Sequence, residues 1–438
     1  MKYYCLGIKG AGMATLANIL YDLGNYVEGY DDVTDYKFTQ EGLDKRNIKI
    51  YSDNVHPLDK ELIVTHSVAL KNDHKELVRA RENGLQIKKY NEILGEITNM
   101  FESICVSGTH GKTTTSTMIS QILDQVYKVN YFIGDGTGYA NKDNKLFVIE
   151  SDEFNRHFLA YHPSYTVITN IELEHTEIYR DIEDIRDTFT EFANKTKNTI
   201  VACGDNENIR MLKLNPKTIY YGFDDKNDVY AKNIILNENG SEFDLIVNSV
   251  IVVHVTLPLF GKHMILNAMA AIIICHLEGV SYEKIEELLK KFHNAKRRFA
   301  IEMVKDNVMI DDYAHHPTEI KVTLEAARQK YPNKKLIAVF KPNTYSRTQK
   351  FYKEFADALN LADKVYLTEI DCNREKSEEY GNVTSKVIFD LLENGEMISD
   401  DNLGSLTTYK DSVICFMSCA SISHLKDNYK NKINNQNN

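Results

Sequence analysis

The sequence predicts three α/β domains in tandem. Three observations carry that prediction. A chain of 438 residues is too long for one compact core, and at roughly 100–200 residues per domain it holds about two to four. Short apolar runs alternate with amphipathic stretches along its length. Twice, an apolar run feeds a glycine-containing turn that opens a helix, the start of a parallel βαβ unit.

In chain order, Tyr3–Ile8 reads as a short strand and Gly7-Ile8-Lys9-Gly10-Ala11-Gly12-Met13 as a glycine turn. Ala14–Leu23 is amphipathic and helical, and Tyr26–Gly29 is a second strand ending at Asp31. Leu62–Thr65 and Leu85–Lys88 continue the alternation, and the first domain is expected to cover 1–99. A new strand, Ser103–Ser107, leads through a second turn into a helix over about 113–127. Strands at Leu146–Ile149, Thr166–Thr169 and Thr199–Ala202 follow. Ile246–Leu259 reads as strand and Ile265–Leu277 as a buried helix, giving a central domain over 100–299. The third domain, 300–438, alternates again: strand Val308–Ile310, helix Pro317–Lys330, strand Leu336–Phe340, helix Phe351–Leu361, then strands Lys364–Thr368 and Ser412–Phe416. The end, Asp427–Asn438, is polar and rich in Asn and Lys, and is expected to fray.

Composition narrows the function. A net charge of −11 argues against a duplex nucleic-acid binder, which needs a basic face to displace counterions. Seven scattered cysteines without a CxxC read as reduced structural thiols of a cytoplasmic protein. Glycines follow Met1-Lys2-Tyr3-Tyr4 within ten residues, which is not a signal peptide. No apolar run approaches the roughly 20 residues that span a bilayer. A monomer or homodimer with small-molecule ligands, no nucleic acid and no membrane is the expectation.

Ser107-Gly108-Thr109-His110-Gly111-Lys112-Thr113-Thr114 is the strongest local signal. A strand, a glycine turn and a helix N-terminus bring backbone N–H groups and the helix dipole onto anionic oxygen. Lys112 can reach β/γ-phosphates and Thr113 offers a hydroxyl to Mg²⁺. The spacing is a shortened GxxGKT, with Val106 where the first glycine of the longer motif would stand. Gly7, Gly10 and Gly12 are spaced GxxGxG, with Asp31 near the position of a ribose-binding acid and Lys9 available for a pyrophosphate. The bland alternative is a tight turn that only packs helix on sheet.

Glu150 ends an apolar strand, and His175 follows the next one, so both fall at the carboxyl edge of one parallel sheet, where ligands bind. With Thr113 they form a candidate metal set, although imidazole is an unusual partner for Mg²⁺. Asp311-Asp312-Tyr313-Ala314-His315-His316-Pro317 precedes a helix and suits a binding loop better than zinc, because neighbouring loop side chains point apart. Lys296-Arg297-Arg298-Phe299 is a compact basic cluster, either a solvated charge run or a phosphate contact.

In this order, the glycine turn, GTHGKTT, Glu150, His175, GKHxxxN at Gly261–Asn267, KRRF, DDYAHHPTE at Asp311–Glu319 and Ser346-Arg347-Thr348 resemble the Mur ligases, over nearly all of the chain to about Ile422. The resemblance implies an N-terminal Rossmann-like domain for a UDP-sugar, a central phosphate-loop ATPase domain and a C-terminal Rossmann-like domain for an amino acid. It implies ATP-dependent ligation of L-alanine to the carboxylate of UDP-N-acetylmuramate in peptidoglycan precursor synthesis, with Mg²⁺, or Mn²⁺ in its place. It also implies roles. Gly108, Thr109, His110, Gly111, Lys112, Thr113 and Thr114 would hold ATP phosphates. Thr113, Glu150 and His175 would ligate the metal, and His263 and Asn267 would flank adenine. Asp312 would hold the ATP ribose and Arg298 a phosphate, while Tyr313, His315 and Arg347 would line the amino-acid side. Gly7, Gly10, Gly12, Asp31, His66 and Ser67 would face the UDP-sugar, and Lys112, Glu150, His175, His315 and Arg347 would form the catalytic set.

Three positions depart from the family pattern. Met264 stands where Asn is usual, Asn343 where His is usual, and Met417-Ser418-Cys419-Ala420-Ser421 where a GAGD turn is usual. Three alternatives stay open: a murein peptide recycling ligase, a catalytically inactive nucleotide-binding homologue, and a dinucleotide-dependent oxidoreductase that uses the first turn and leaves GTHGKTT unexplained.

Overall fold

The computed structural model describes every residue except 38, 68–69, 373–374 and 436–438. It is a mixed α/β structure with three sheets, and the chain forms two compact units. The first holds Met1–Lys232, Leu245–Val253 and Leu266–Leu289; the second holds Asn233–Asp244, His254–Ile265 and Lys290–Asn438.

The first sheet has five parallel strands in the order Lys49–Tyr51, Tyr26–Tyr30, Lys2–Leu6, Leu62–His66, Gln86–Ile87. Tyr4, Cys5 and Leu6 are fully buried, as expected of a central parallel strand covered on both faces. The order reverses between Lys2–Leu6 and Leu62–His66, and the carboxyl ends of strands at such a switch point are where open α/β sheets bind ligands. The first glycine turn lies there and leads into the helix Ala11–Asp22.

A linking helix, Tyr90–Met100, leads to the central sheet. A side chain at Gly95 would meet the carbonyl oxygen of Ala160 at 2.4 Å, so this helix packs backbone to backbone on the turn Phe154–Ala160. The heart of the central sheet is Glu102–Ser107, flanked in parallel by Leu146–Glu150 and Tyr165–Ile168. Thr199–Cys203 and Lys217–Gly222 continue it on one side, and Asn130–Phe132 and Gly138–Tyr139 on the other. Ser107, Glu150 and Ile168 therefore end side by side.

The apolar run 246–259 is not one strand. Gly240–Val247 and Val250–Leu257 are separated by Asn248 and Ser249, both left-handed at φ 50° and 62°, the conformation of a two-residue hairpin turn. Helix Lys262–Leu277 is apolar on all sides, and Ile265 and Ala268–Cys275 are buried, as its composition demands.

The second unit carries a six-stranded sheet: Ala300–Val304, Asn307–Asp312, Ser412–Met417, Lys335–Phe340, Lys364–Leu367, Gly395–Met397. Only Ala300–Val304 is antiparallel. Helices Pro317–Lys330 and Tyr345–Leu359 cover one face through Ile320, Leu324 and Phe355. The opposite face is covered by a helix over Ser423–Asn435, where fraying was expected. Leu425, Tyr429 and Ile433 recur every four residues and bury into the sheet, and Asn307 Nδ2 donates to the Tyr429 hydroxyl at 2.9 Å.

Candidate active site

The phosphate loop is a braced turn. Gly108 and Gly111 are left-handed at φ 128° and 82°. A Cβ at Gly111 would also lie 2.6 Å from Asn267 Oδ1, so glycine is required twice over. Asn170, at the end of the neighbouring strand, brackets the loop. Its carbonyl accepts from Thr109 N at 3.0 Å, its Oδ1 accepts from His110 N at 2.9 Å, and its Nδ2 donates to His110 O at 3.0 Å. Two of the loop's N–H groups are thus spent on Asn170.

Lys112 opens the helix Lys112–Val126. Its ammonium donates to Gly108 O at 2.6 Å and to Glu153 Oε2 and Oε1 at 2.8 and 3.1 Å. Burial pulls this amine down, but Glu153, Asp152 and Glu150 outweigh burial and hold it above the usual lysine range. Burial pushes the Glu153 carboxyl up against the pull of Lys112. Lys112 is therefore a fully charged, pre-positioned cation.

The structure divides the candidate metal residues into two adjoining sets. Thr113 Oγ1 donates to Glu150 Oε1 at 3.0 Å, and Gly134 N donates to Glu150 Oε2 at 2.7 Å. His175 instead faces Glu153, with Nε2 3.9 Å from Oε1. Asp152, Glu153 and His175 can each offer a ligand atom within 4.8 Å of the others. A hydroxyl and several carboxylate oxygens at a helix N-terminus fit a hard divalent cation, and the imidazole broadens the fit to Mn²⁺. Asn155, Arg156 and His175 are all left-handed, at φ 52°, 57° and 53°, so backbone strain concentrates around Glu153. Arg156 is anchored to Asp184 at 2.7 Å.

At the first glycine turn, Gly7 N and Ile8 N both donate to Tyr30 O. Asp31 is buried and accepts from Lys9 N at 2.9 Å and Val33 N at 3.0 Å. Lys9 Nζ donates to the carbonyls of Val33, Thr34 and Asp35. Both side chains are thus engaged in shaping the turn. His66 pairs with Leu6 across the switch point, and Ser67 N donates to Leu6 O, which puts both residues beside Gly7.

In the second unit, Asp312 is buried and accepts from Phe299 N at 2.7 Å and Ala314 N at 2.8 Å. Burial pushes its carboxyl up to about 6, with Arg298 opposing. Arg297 and Arg298 lie 5.4 and 5.0 Å from the centre of the Tyr313 ring. The His315 ring stands edge-on to Tyr313 and is held by Glu319 at 3.0 Å. Arg347 is buried at the start of Tyr345–Leu359, with Nη1 3.3 Å from Thr344 Oγ1. Burial pushes His263 down to about 4, so it is a neutral imidazole. Asn267 does not share its unit; it contacts the phosphate loop at Gly111.

Sequence reading missed Asn170, Asp152 and Glu153. The last two stand within three residues of Glu150, and a carboxylate cluster beside a phosphate-loop lysine was the available signal.

A braced phosphate loop, a charged, partly buried lysine and a carboxylate cluster on an α/β sheet define a nucleotide-using enzyme. Three models of Mur ligase domains match the chain: the family's catalytic domain over 2–102, its middle domain over 106–275 and its glutamate ligase domain over 297–408. The UDP-N-acetylmuramate–L-alanine ligase of Lactiplantibacillus plantarum is 42% identical over 433 residues, 98% of each chain. The chain belongs to the Mur ligase family. A solved UDP-N-acetylmuramate–alanine ligase from Thermotoga maritima is 25% identical with a TM-score of 0.83, covering 99% of both chains. A murein peptide ligase from Psychrobacter arcticus, 23% identical, shares the fold at a TM-score of 0.75 over 99% of both chains.

Proposed function

We propose that this protein joins L-alanine to the carboxylate of UDP-N-acetylmuramate, with ATP converted to ADP and phosphate, as a step of peptidoglycan precursor synthesis in the cytoplasm. The observation that carries the reading is 42% identity, across 98% of both chains, to a ligase of that name. No described helix is long and apolar enough to cross a membrane. In this reading residues 1–99 take the UDP-sugar, 100–299 take ATP and 300–438 take the amino acid.

A carboxylate is a poor electrophile. Its oxygen attacks the γ-phosphorus of ATP, ADP leaves, and the acyl phosphate so formed carries a good leaving group. The amine of alanine then adds to the acyl carbon, and phosphate departs from the tetrahedral intermediate as the amide forms. The first step brings two anions together. Lys112 meets that need with a charge held in place before ATP arrives, which costs no reorganisation during reaction. Asn170 keeps the loop in shape around the phosphates. Thr113, Glu150 and His175, with Asp152 and Glu153 beside them, would hold Mg²⁺, which supplies further positive charge to the phosphates when bound. In the second unit Tyr313, His315 and Arg347 would receive alanine.

The test is phosphate release with UDP-N-acetylmuramate across a panel of amino acids and the murein tripeptide. Release with L-alanine and not with the tripeptide supports the reading. Release only with the tripeptide would make the protein a recycling ligase, and none with any acceptor an inactive homologue.

A further inference from the structure

We propose that the Tyr90 hydroxyl binds the acid substrate between its nucleotide anchor at the first glycine turn and the phosphate-transfer site, positioning its carboxylate for phosphorylation. The proposal rests on the functional reading above.

Tyr90 opens the linking helix and reaches both sites within the first unit. On one side its phenol lies over Gly12: a Cβ there would stand 2.7 Å from the phenol oxygen. Gly12 belongs to the first turn of Ala11–Asp22, where helix N–H groups favour anionic oxygen. On the other side the ring stands edge-on to Phe132 at 6.4 Å and tilted against His157 at 6.2 Å. Phe132 pairs with Ile149, the residue before Glu150, and Glu150 is bonded to Gly134. The phenol thus bridges the glycine turn and the carboxylate end of the phosphate site.

The hydroxyl has no hydrogen-bond partner among the described residues, and the residue keeps part of its surface open to solvent. A phenol without a protein partner keeps both its donor and its acceptor sites for an incoming ligand. Burial of the ring, with Asp152 and Glu150 nearby, keeps the phenol protonated. A neutral donor is what this position calls for. The incoming sugar acid is anionic and must approach a site that already holds Glu150 and Asp152, and a protonated phenol offers its oxygen a hydrogen bond. Glycine at 12 fits the same arrangement, because a methyl group there would displace the phenol.

The test is Tyr90→Phe, which keeps the ring against Phe132 and His157 and removes only the hydroxyl. UDP-N-acetylmuramate affinity, titrated by calorimetry without ATP, should weaken about tenfold, with KM for the sugar acid rising in step and KM for ATP within about twofold of wild type. A thermal melt confirms the fold. Unchanged affinity for the sugar acid overturns the proposal, and so does a shift confined to ATP, which would put the hydroxyl on the nucleotide. If the wild-type protein releases no phosphate, the functional reading fails, and the calorimetric comparison still decides Tyr90.

Discussion

Replacing Lys112 by alanine should remove two things at once, and a second substitution separates them. The ammonium contacts both oxygens of Glu153, at 2.8 and 3.1 Å, and Glu153 is only 2% exposed. Removing one partner of a buried pair leaves an uncompensated charge, at a cost of about 3–5 kcal/mol. For a large domain each kcal/mol lowers Tm by roughly 2–4 °C, so Lys112→Ala should melt about 10 °C early. The same variant loses a pre-organised cation at the transferring phosphoryl group, and turnover should fall on the order of 10²–10³. Adding Glu153→Gln removes the orphaned charge. The double variant should regain most of the lost Tm and none of the turnover. Melting curves and phosphate release for wild type, both single variants and the double variant form a complete cycle. Turnover of Lys112→Ala within about tenfold of wild type would refute the phosphate role. A double variant no more stable than Lys112→Ala would refute the buried-pair argument.

Glu150→Ala should raise the metal concentration needed for activity more than His175→Ala does, because a carboxylate holds a hard cation more firmly than imidazole. Metal titrations of activity, with metal-free ATP affinity as control, check this; wild-type metal dependence in both variants would make the two residues ordinary strand ends. Mn²⁺ should replace Mg²⁺ in the same assay. Calorimetry should show saturable UDP-N-acetylmuramate binding and none for NAD, and the opposite result would reassign the first glycine turn. Burial holds the folded His263 near 4 while the unfolded chain titrates near 6.5, so the stability this neutral imidazole contributes is present above about pH 6.5 and lost as pH falls toward 4. His263→Leu should therefore flatten the acid limb of the curve of unfolding free energy against pH by up to about 3 kcal/mol; parallel acid limbs would show the ring to be solvated.

The legible parts of the site were those whose chemistry is contiguous in sequence. Strand, glycine turn, Lys112 and helix follow one another along the chain, so the phosphate loop could be read directly. Asn170 and Tyr90 join the site through sheet register and packing, which no local pattern encodes. Asp31 was found at the right strand end, but its hydrogen bond to Lys9 N depends on how the turn closes. The C-terminal helix shows how composition misleads. Its Asn and Lys residues dilute the signal, yet Leu425, Tyr429 and Ile433 keep helical spacing, and that stripe decides the structure. The run 246–259 misled in the opposite way: its apolar residues hid Asn248-Ser249, the two residues that make the turn.

The departures in the second unit follow the same logic. Without the GAGD glycines, Met417–Ser421 would be strained if the turn required left-handed backbone, but no residue in that stretch has a positive φ. Side chains hold it instead. Ser418 Oγ donates to Lys341 O at 2.8 Å and accepts from Ala420 N at 3.0 Å. Arg297 closes the turn by donating to Ser418 O at 2.7 Å and Ala420 O at 3.4 Å, while its guanidinium lies over Tyr313. One basic side chain thus ties the altered turn to the ring expected beside alanine. This turn is therefore held by side-chain hydrogen bonds and not by left-handed glycines, and the same Arg297 that closes it packs on Tyr313.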